Sequence, residues 1–321
     1  MILIISNPYE PSTDNVIDVL LSEKADFLRI NSDELASGRF FINIEEDFFW
    51  INSQPVDIGK INVIWYRRWY DYHTIKIPGI NKISRQLRNH VIGETNQLSY
   101  FFFKSLEKKI WLSDPFSNIT HNKLDVLKKA AEVGLLIPKT IVCSQKKDLV
   151  LFAQNDRIIT KPMGDPSLIQ TEEAGYKSYT EELTTEFINS LPDSFYPSMF
   201  QELIVAKNEI RIFFLENEFY ATSLVNSFTT DIKLSVSYGM GKINMVAFNL
   251  PSSISKQLSC LMRILKLNSG SIDMIIDENE KFYFLEVNPV GQFGGYAVFN
   301  NYYLERKIAY WLIDKDKSND R

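Results

Sequence analysis

The chain has 321 residues, 45% of them apolar and 23% charged, with a formal net charge of −5. That length allows two or three packed units, the mildly acidic and mixed charge argues against generic affinity for nucleic acid, and no apolar run approaches a membrane span. Two cysteines, Cys143 and Cys260, match no zinc or redox spacing and read as idle thiols in a reducing compartment. The opening MILIIS is apolar without a basic flank. It reads as a buried strand rather than a signal peptide, so the expected location is the cytoplasm.

Residues 1–115 read as an α/β unit. MILIIS is a strand, Ser12, Thr13, Asp14 and Asn15 offer N-caps to the helix VIDVLLSE, and DFLRIN is a second strand. FFINIE and FFWIN form a hairpin around Asp47, and INVIWYRRW at 61–69 is another strand. A long helix spans 81–107, and IWLSDP leads to a boundary at Pro115. Residues 116–190 form a smaller unit, with the helix HNKLDVLKKAAEVGL ending near Gly134, the strand IPKTIVC, the short helix KKDLVLFAQ, the strand RIITKPM and a polar loop, GDPS, at 164–167. Residues 191–321 open with the strand MFQELI, followed by EIRIFFL and FYATSLV as a hairpin around Glu216 and Asn217. A helix started by Pro251 and Ser252 precedes two strands, and the chain closes with the helix YYLERKIAYWLI and a frayed tail, DKDKSNDR.

The densest chemistry lies in GSIDMIID at 270–277 and FLEVNP at 284–289, which present Asp273, Glu286 and Asn288 on neighbouring strands. All three are hard oxygen donors, a set that suits Mg²⁺ with its need for one or two carboxylates plus phosphate oxygens. Glu286 and Asn288 share a strand face, Val287 turns to the core, and Pro289 ends the strand because it has no N–H for the ladder. Lys161 in IITKPMG is a point charge at a strand end and suits a phosphate oxygen, with a solvated lysine as the competing reading. Gly164 beyond it lets backbone approach a ligand. Lys123 starts a helix after Asn122.

MFQELIVAKNEIR at 199–211 has the form strand, hinge, strand. Such a crossing offers backbone groups to adenine, with Glu202 and Glu209 in reach of ribose hydroxyls or the amino group. Arg211 shares a face with Glu209 and serves either a triphosphate or a salt bridge to Glu209 or Asp273. Arg67 and Arg68 are adjacent on the strand and point to opposite faces, so by strand geometry they do not share one ligand; one binds a carboxylate or phosphate while the other braces the fold. His73, His90 and His121 are scattered and read as surface residues. No P-loop, nucleophile elbow or H-E-x-x-H motif is present.

The order Lys123, Lys161, QELI hinge, E-x-R strand, Asp273 and E-x-N-P resembles the ATP-grasp superfamily over residues 116–300. The resemblance implies an α/β (α+β) ATP-grasp fold with an N-terminal α/β pre-ATP-grasp domain at 1–115. A central subdomain at 116–190 and a C-terminal subdomain at 191–321 then clamp the nucleotide. It further implies phosphate binding by Lys123 and Lys161, and an adenine edge at Gln201, Glu202, Leu203 and Ile204. Glu209 and Arg211 meet the nucleotide, and Asp273, Glu286 and Asn288 hold magnesium.

IWYRR, KNEIRIFFL, TTDIK, LNSGSIDMI, FLEVNPVGQFGG and NNYYLERKIA are similar to the peptide-maturing ATP-grasp ligases of the grasp-with-spasm group, relatives of the microviridin and graspetide macrocyclases. This implies ATP- and Mg²⁺-dependent linking of Asp or Glu side chains of a ribosomal precursor peptide, leader plus core, to Ser, Thr or Lys side chains. It implies a homodimer and no nucleic-acid or membrane partner. Arg211 and Lys161 assist phosphoryl transfer, Arg67 or Arg68 orients the incoming carboxylate, and the hairpin at 209–225 is the expected leader surface. Where the group has Asp-Phe-Arg, this chain has Asp231-Ile232-Lys233, so Lys233 keeps the charge and loses the bidentate fork. Two other readings share the nucleotide residues: a ligase joining a free amine to a peptide or metabolite, and a non-catalytic ATP- or peptide-binding module.

Overall fold

The computed structural model describes residues 1–36, 40–46, 48–51, 54–69, 84–120, 122–164, 168–170, 175–177, 180–225 and 244–318. Asp47, His73, His121, Lys233, residues 165–167 of the GDPS loop and 319–321 of the tail lie outside the described residues. The chain divides into two compact units, one of Met1–Ile119, Gln292–Val298 and Tyr302–Arg321, the other of Thr120–Gly291 and Phe299–Asn301.

In the first unit a parallel sheet runs in the order β2-β1-β6-β7, built from β1 (Ile2–Ser6), β2 (Phe27–Asn31), β6 (Val63–Tyr66) and β7 (Ile110–Leu112). All five residues of β1 are buried, as befits a parallel strand covered on both faces. An antiparallel meander, β3 (Phe40–Ile42), β4 (Phe48–Ile51) and β5 (Gln54–Asp57), extends the expected hairpin by a third strand. Phe49 of β4 packs edge-on against Phe102 of the long helix α3 (Arg85–Ser105), with ring centroids 5.1 Å apart. Helix α1 is Pro11–Ser22 and α2 is the short Ser32–Ala36.

The unit is closed by the far end of the chain. Beyond the short α9 (Gly294–Ala297), helix α10 (Leu304–Ser318) packs on α1, β1 and β6 and buries Leu304, Ile308, Leu312 and Ile313. The tail expected to fray is helical through Ser318, because Asp316 is held in place: its carboxylate accepts from the Met1 ammonium at 2.7 Å and from Asn62 Nδ2 at 2.9 Å.

Among the described residues the second unit holds two larger sheets and a two-stranded ribbon, β10 (Leu168–Gln170) with β11 (Gly175–Lys177). One sheet, order β12-β9-β13-β8, uses β8 (Thr140–Gln145), β9 (Ile158–Thr160), β12 (Glu181–Leu183) and β13 (Ser194–Glu202). Its apolar side is filled by Leu149 of α6 (Lys146–Phe152) and Ile188 of α7 (Thr185–Ser190) against Ile158 and Phe200. The other sheet runs β16-β15-β14-β17-β18, from β14 (Ala206–Leu215), β15 (Glu218–Val225), β16 (Asn244–Phe248), β17 (Ser269–Asp277) and β18 (Phe282–Asn288). Short α4 (Pro115–Thr120) precedes α5 (Lys123–Glu132), and α8 (Ser252–Ile264) lies between β16 and β17.

Alternation assigns the two faces of the five-stranded sheet. Ile210, Ile212, Phe214, Ile272, Met274, Ile276 and Phe284 turn toward Val126, Leu127 and Ala130 of α5 and Leu258, Leu261 and Met262 of α8 to form one core. The opposite face is left for polar groups. In the hairpin expected as the leader surface both outer edges are paired, β14 with β17 and β15 with β16, so it offers no edge for strand addition. Both free cysteines are half-buried, and burial pushes the Cys143 thiol up.

Candidate active site

The polar face of the five-stranded sheet is organised as a rank across four strands. Thr222 of β15 stands opposite Arg211 of β14, Arg211 opposite Asp273 of β17, and Asp273 opposite Glu286 of β18. Directly opposite residues lie on one face with side chains in reach of each other, so antiparallel register alone brings these groups together. Asn288 stands one rank further on, opposite Ser271, on the same face as Glu286.

A β-bulge makes this rank possible. Asp273 pairs with Glu286 while the next residue, Met274, pairs with Phe284, so Leu285 is an extra residue in β18. Without it Glu286 would share the face of Phe284, which is fully buried in the core. The extra residue resets the alternation, so Phe284 and Val287 pack against the core while Glu286 joins Asp273 on the other face. Re-aiming a side chain beside a site is a recurrent use of bulges.

Charges alternate along the rank. Lys123 Nζ, in the first turn of α5, lies 3.1 Å from Glu286 Oε2 and donates to the carbonyl of Pro162 at 3.4 Å. It thereby ties β18 to the segment just beyond Lys161, which is half-buried and immediately follows β9. Helix α5 starts where it does because the Asn122 side chain accepts from the backbone N–H of Leu124 and Asp125, at 2.9 and 3.3 Å. Arg211 Nη1 pairs with Asp273, and Nη2 lies 3.4 Å from Glu209 Oε2. Its salt bridges to Glu209 and Asp273 are therefore both formed.

The donor set fits magnesium: two carboxylates opposite one another, an amide oxygen beside them and no soft ligand. Among the described residues no group of three or more His, Cys, Asp and Glu side chains is arranged to hold a metal, so the set depends on Asn288 and on oxygens from a ligand. Asn288 Oδ1 also accepts from the Val290 N–H at 3.2 Å, which fixes the amide.

The hinge residues are placed separately. Gln201 is buried, and its Nε2 donates to Thr140 Oγ1 at 2.8 Å. The N–H groups of Glu202 and Leu203 donate to the carbonyls of Lys139 and Arg157, at 2.9 and 2.7 Å. Ile204, in the link between β13 and β14, is half-buried. The backbone donors at Glu202 and Leu203 are thus already engaged within the sheet, which leaves carbonyls and side chains as the groups to consider there.

Arg67 and Arg68 belong to the first unit. The expectation that they point apart fails because β6 ends at Tyr66, so strand alternation no longer applies to them. Both reach one carboxylate, Glu10, with Arg67 Nη2 at 3.5 Å and Arg68 Nε at 2.9 Å.

Two polar groups escaped the sequence reading. Thr222, almost fully buried, accepts at Oγ1 from Asn300 Nδ2 at 2.8 Å. Its place was computable: a two-residue turn at Glu216 and Asn217 sets 215 opposite 218, and therefore 211 opposite 222. Glu10 had only Pro11 beside it and no motif to mark it.

No protein-family model matches the chain, and no curated protein matches it. Solved structures do. The chain matches the macrocyclase MdnC bound with precursor peptide MdnA, from Microcystis aeruginosa MRC, at a TM-score of 0.82 and 24% identity over 98% of this chain and 100% of that one. It matches a RiPP-associated ATP-grasp ligase of Chryseobacterium gregarium, in complex with ADP and a leader and core peptide, at 0.83 and 21% identity over 98% and 96%. It also matches the ATP-grasp ligase PsnB, complexed with minimal precursor, Mg and ADP, at 0.78 and 15% identity over 98% and 97%. The chain has the ATP-grasp fold over nearly its whole length.

Proposed function

We propose that this chain is an ATP-dependent peptide macrocyclase, joining Asp or Glu side chains of a ribosomal precursor peptide to Ser, Thr or Lys side chains as esters or amides. The observation that carries this reading is the rank Arg211–Asp273–Glu286 on one sheet face, with Lys123 of α5 paired to Glu286 at its end. It sits in a fold shared with ligases seen with ADP, Mg and precursor peptides. We assign the nucleotide to the second unit, between the sheet that contains β9 and the five-stranded sheet, with a central subdomain at 116–190 and a C-terminal subdomain from 191.

A carboxylate does not condense with a hydroxyl in water because its leaving group is too poor. In the proposed reaction a peptide carboxylate oxygen attacks the γ-phosphorus of ATP, the bond to the β-phosphate oxygen breaks, and ADP leaves. The hydroxyl or amine of a second side chain then attacks the acyl carbon and loses its proton, and inorganic phosphate departs with the carboxylate oxygen. Peptide mass falls by one water per ring. Positioning and charge compensation dominate such transfers.

Lys123 and Lys161 hold phosphate oxygens as point charges. Arg211, anchored by Asp273 and Glu209, presents a guanidinium whose direction is set before the substrate arrives. Glu202 and Glu209 face the nucleoside, with Gln201, Leu203 and Ile204 shaping its edge. Asp273, Glu286 and Asn288 hold magnesium, which when bound neutralises charge on the phosphates. Lys233 contributes a positive charge toward the same chemistry. Among the described residues no helix is long and apolar enough to cross a membrane; we assign the enzyme to the cytoplasm, as a homodimer, on family likeness.

The test is turnover with a candidate precursor peptide, followed by intact mass. Expected is an ATP- and Mg²⁺-dependent loss of one water per ring, abolished in Glu286→Ala while the protein stays folded. ATP consumption that adds a supplied amine to the peptide instead would make the enzyme an intermolecular ligase. Nucleotide binding without peptide-stimulated turnover would make it a binding module.

A further inference from the structure

Two of the proposed roles meet on one ion pair. Lys123 is assigned to phosphate and Glu286 to magnesium, yet Lys123 Nζ lies 3.1 Å from Glu286 Oε2. The two side chains are 20% and 29% exposed, so water and salt screen their attraction less than they screen a surface pair. Both partners are held in place. Lys123 sits on the first turn of α5 behind the Asn122 cap, and its Nζ also donates to the Pro162 carbonyl. Glu286 is aimed by the bulge at Leu285.

The other end of the rank repeats the arrangement. Arg211, assigned to the nucleotide, pairs with Asp273, assigned to the metal. The two cations differ in kind. Arg211 spreads its charge over a fork and already meets a second carboxylate, Glu209, at 3.4 Å. A lysine concentrates its charge on one nitrogen. Competition between an internal carboxylate and a phosphate is therefore sharpest at Lys123.

A phosphate oxygen drawn to Nζ competes with Glu286, and a divalent cation drawn to Glu286 is repelled by Nζ. With both ligands present the conflict ends, because Glu286 serves the metal and Lys123 serves the phosphate. Each ligand thus makes room for the other, and the coupling is reciprocal. It adds to whatever the metal gains by coordinating the phosphates directly. It resides in two side chains, so substitution can remove it.

We infer that Lys123 and Glu286 form an exchange pair by which the site discriminates the magnesium complex of a nucleotide from the metal-free nucleotide. Glu286 masks Lys123 from phosphate until it is itself engaged by the metal. This deepens the proposed nucleotide site and rests on it.

The test uses the full chain and ADP, with affinity read by calorimetry in EDTA and in Mg²⁺. Wild type, Lys123→Met, Glu286→Gln and the double variant are compared, each checked for a cooperative urea transition. In EDTA, Lys123→Met should weaken ADP by no more than about twofold in wild type. It should weaken ADP roughly tenfold or more where Glu286 is already Gln, because only there is the ammonium available. In Mg²⁺ the same substitution should cost wild type roughly tenfold. Equal factors in the two backgrounds in EDTA mean independent charges and overturn the exchange. A second readout needs neither a Lys123 variant nor a measurable heat: acetylation of Lys123 by an amine-reactive ester, followed by peptide mass. ADP should protect Lys123 in wild type only with Mg²⁺, and in Glu286→Gln with or without it. Protection of wild type in EDTA, or none in Glu286→Gln in EDTA, overturns the inference while leaving the nucleotide site standing. Wild type that binds no ADP even with Mg²⁺ sinks the ligase reading and the exchange together.

Discussion

Glu10 is the residue on which the first unit's electrostatics turn. Burial pushes Arg67 down to about 10, well below the ordinary arginine value, partly offset by Glu10. Because the folded value is the lower one, the unfolded chain binds more protons only above about pH 10, and the cost of burying the charge eases as pH rises through that range. Near neutral pH Arg67 is charged in both states, and the cost is met by its partner. Glu10→Gln removes that partner and leaves a buried guanidinium facing a neutral amide. The expected loss is about 3–5 kcal/mol, read as a fall in the urea midpoint at unchanged m-value. A loss within the range of an exposed ion pair, below about 1 kcal/mol, would show that Glu10 is not the compensating charge.

At the level of elements, the site depends on how closely β17 and the turn after β18 approach. Gly291 donates its N–H to the Asn288 carbonyl at 3.1 Å, and a Cβ there would fall 2.5 Å from Ser271 Cβ. Gly291→Ala is therefore expected to destabilise by roughly 1–3 kcal/mol and to displace Asn288. Adding Ser271→Gly removes the clashing atoms, so thermal melts of the double variant should recover most of the loss; an equal loss in single and double variants would refute the packing account. None of this closeness is visible in FLEVNPVG. What was legible there was the face shared by Glu286 and Asn288, because a period of two survives within three residues. The partnership of Glu286 with Asp273 depends on the bulge at Leu285, and that on pairing between distant strands, which local pattern does not encode. The short β5, α7 and β16 went unread for a related reason: each is too brief or too exposed to show a period. Arg67 and Arg68 were misplaced because the apolar run INVIWY was extended into a segment that had already left the sheet. The ATP-grasp order of Lys123, Lys161, Arg211, Asp273 and Glu286 was readable because these residues sit at strand ends, helix starts and strand faces that apolar neighbours define.

At the scale of the molecule, the two units differ in how the chain builds them. Every residue proposed for the nucleotide and metal between Lys123 and Asn288 lies in the second unit, which is nearly continuous in sequence. The first unit is not: its sheet and α1 are completed only by α10, near the other end of the chain. Leu304, Ile308, Leu312 and Ile313 of α10 are buried, together worth on the order of 10 kcal/mol, comparable to the net stability of a whole domain. A fragment of residues 1–119 should therefore show no cooperative urea transition. A fragment of residues 120–301 keeps the whole second unit, including Asn300 and its hydrogen bond to Thr222. It should unfold cooperatively and gain thermal stability from ADP with Mg²⁺, since a ligand that binds only the folded state stabilises it in proportion to the logarithm of its concentration over its Kd. Cooperative unfolding of 1–119 would show that α10 is dispensable to the first unit. A folded 120–301 fragment whose melting temperature ignores ADP and Mg²⁺ would mean that the rank of Arg211, Asp273 and Glu286, with Lys123 at its end, is not sufficient for the nucleotide, and that residues outside this unit are part of its site.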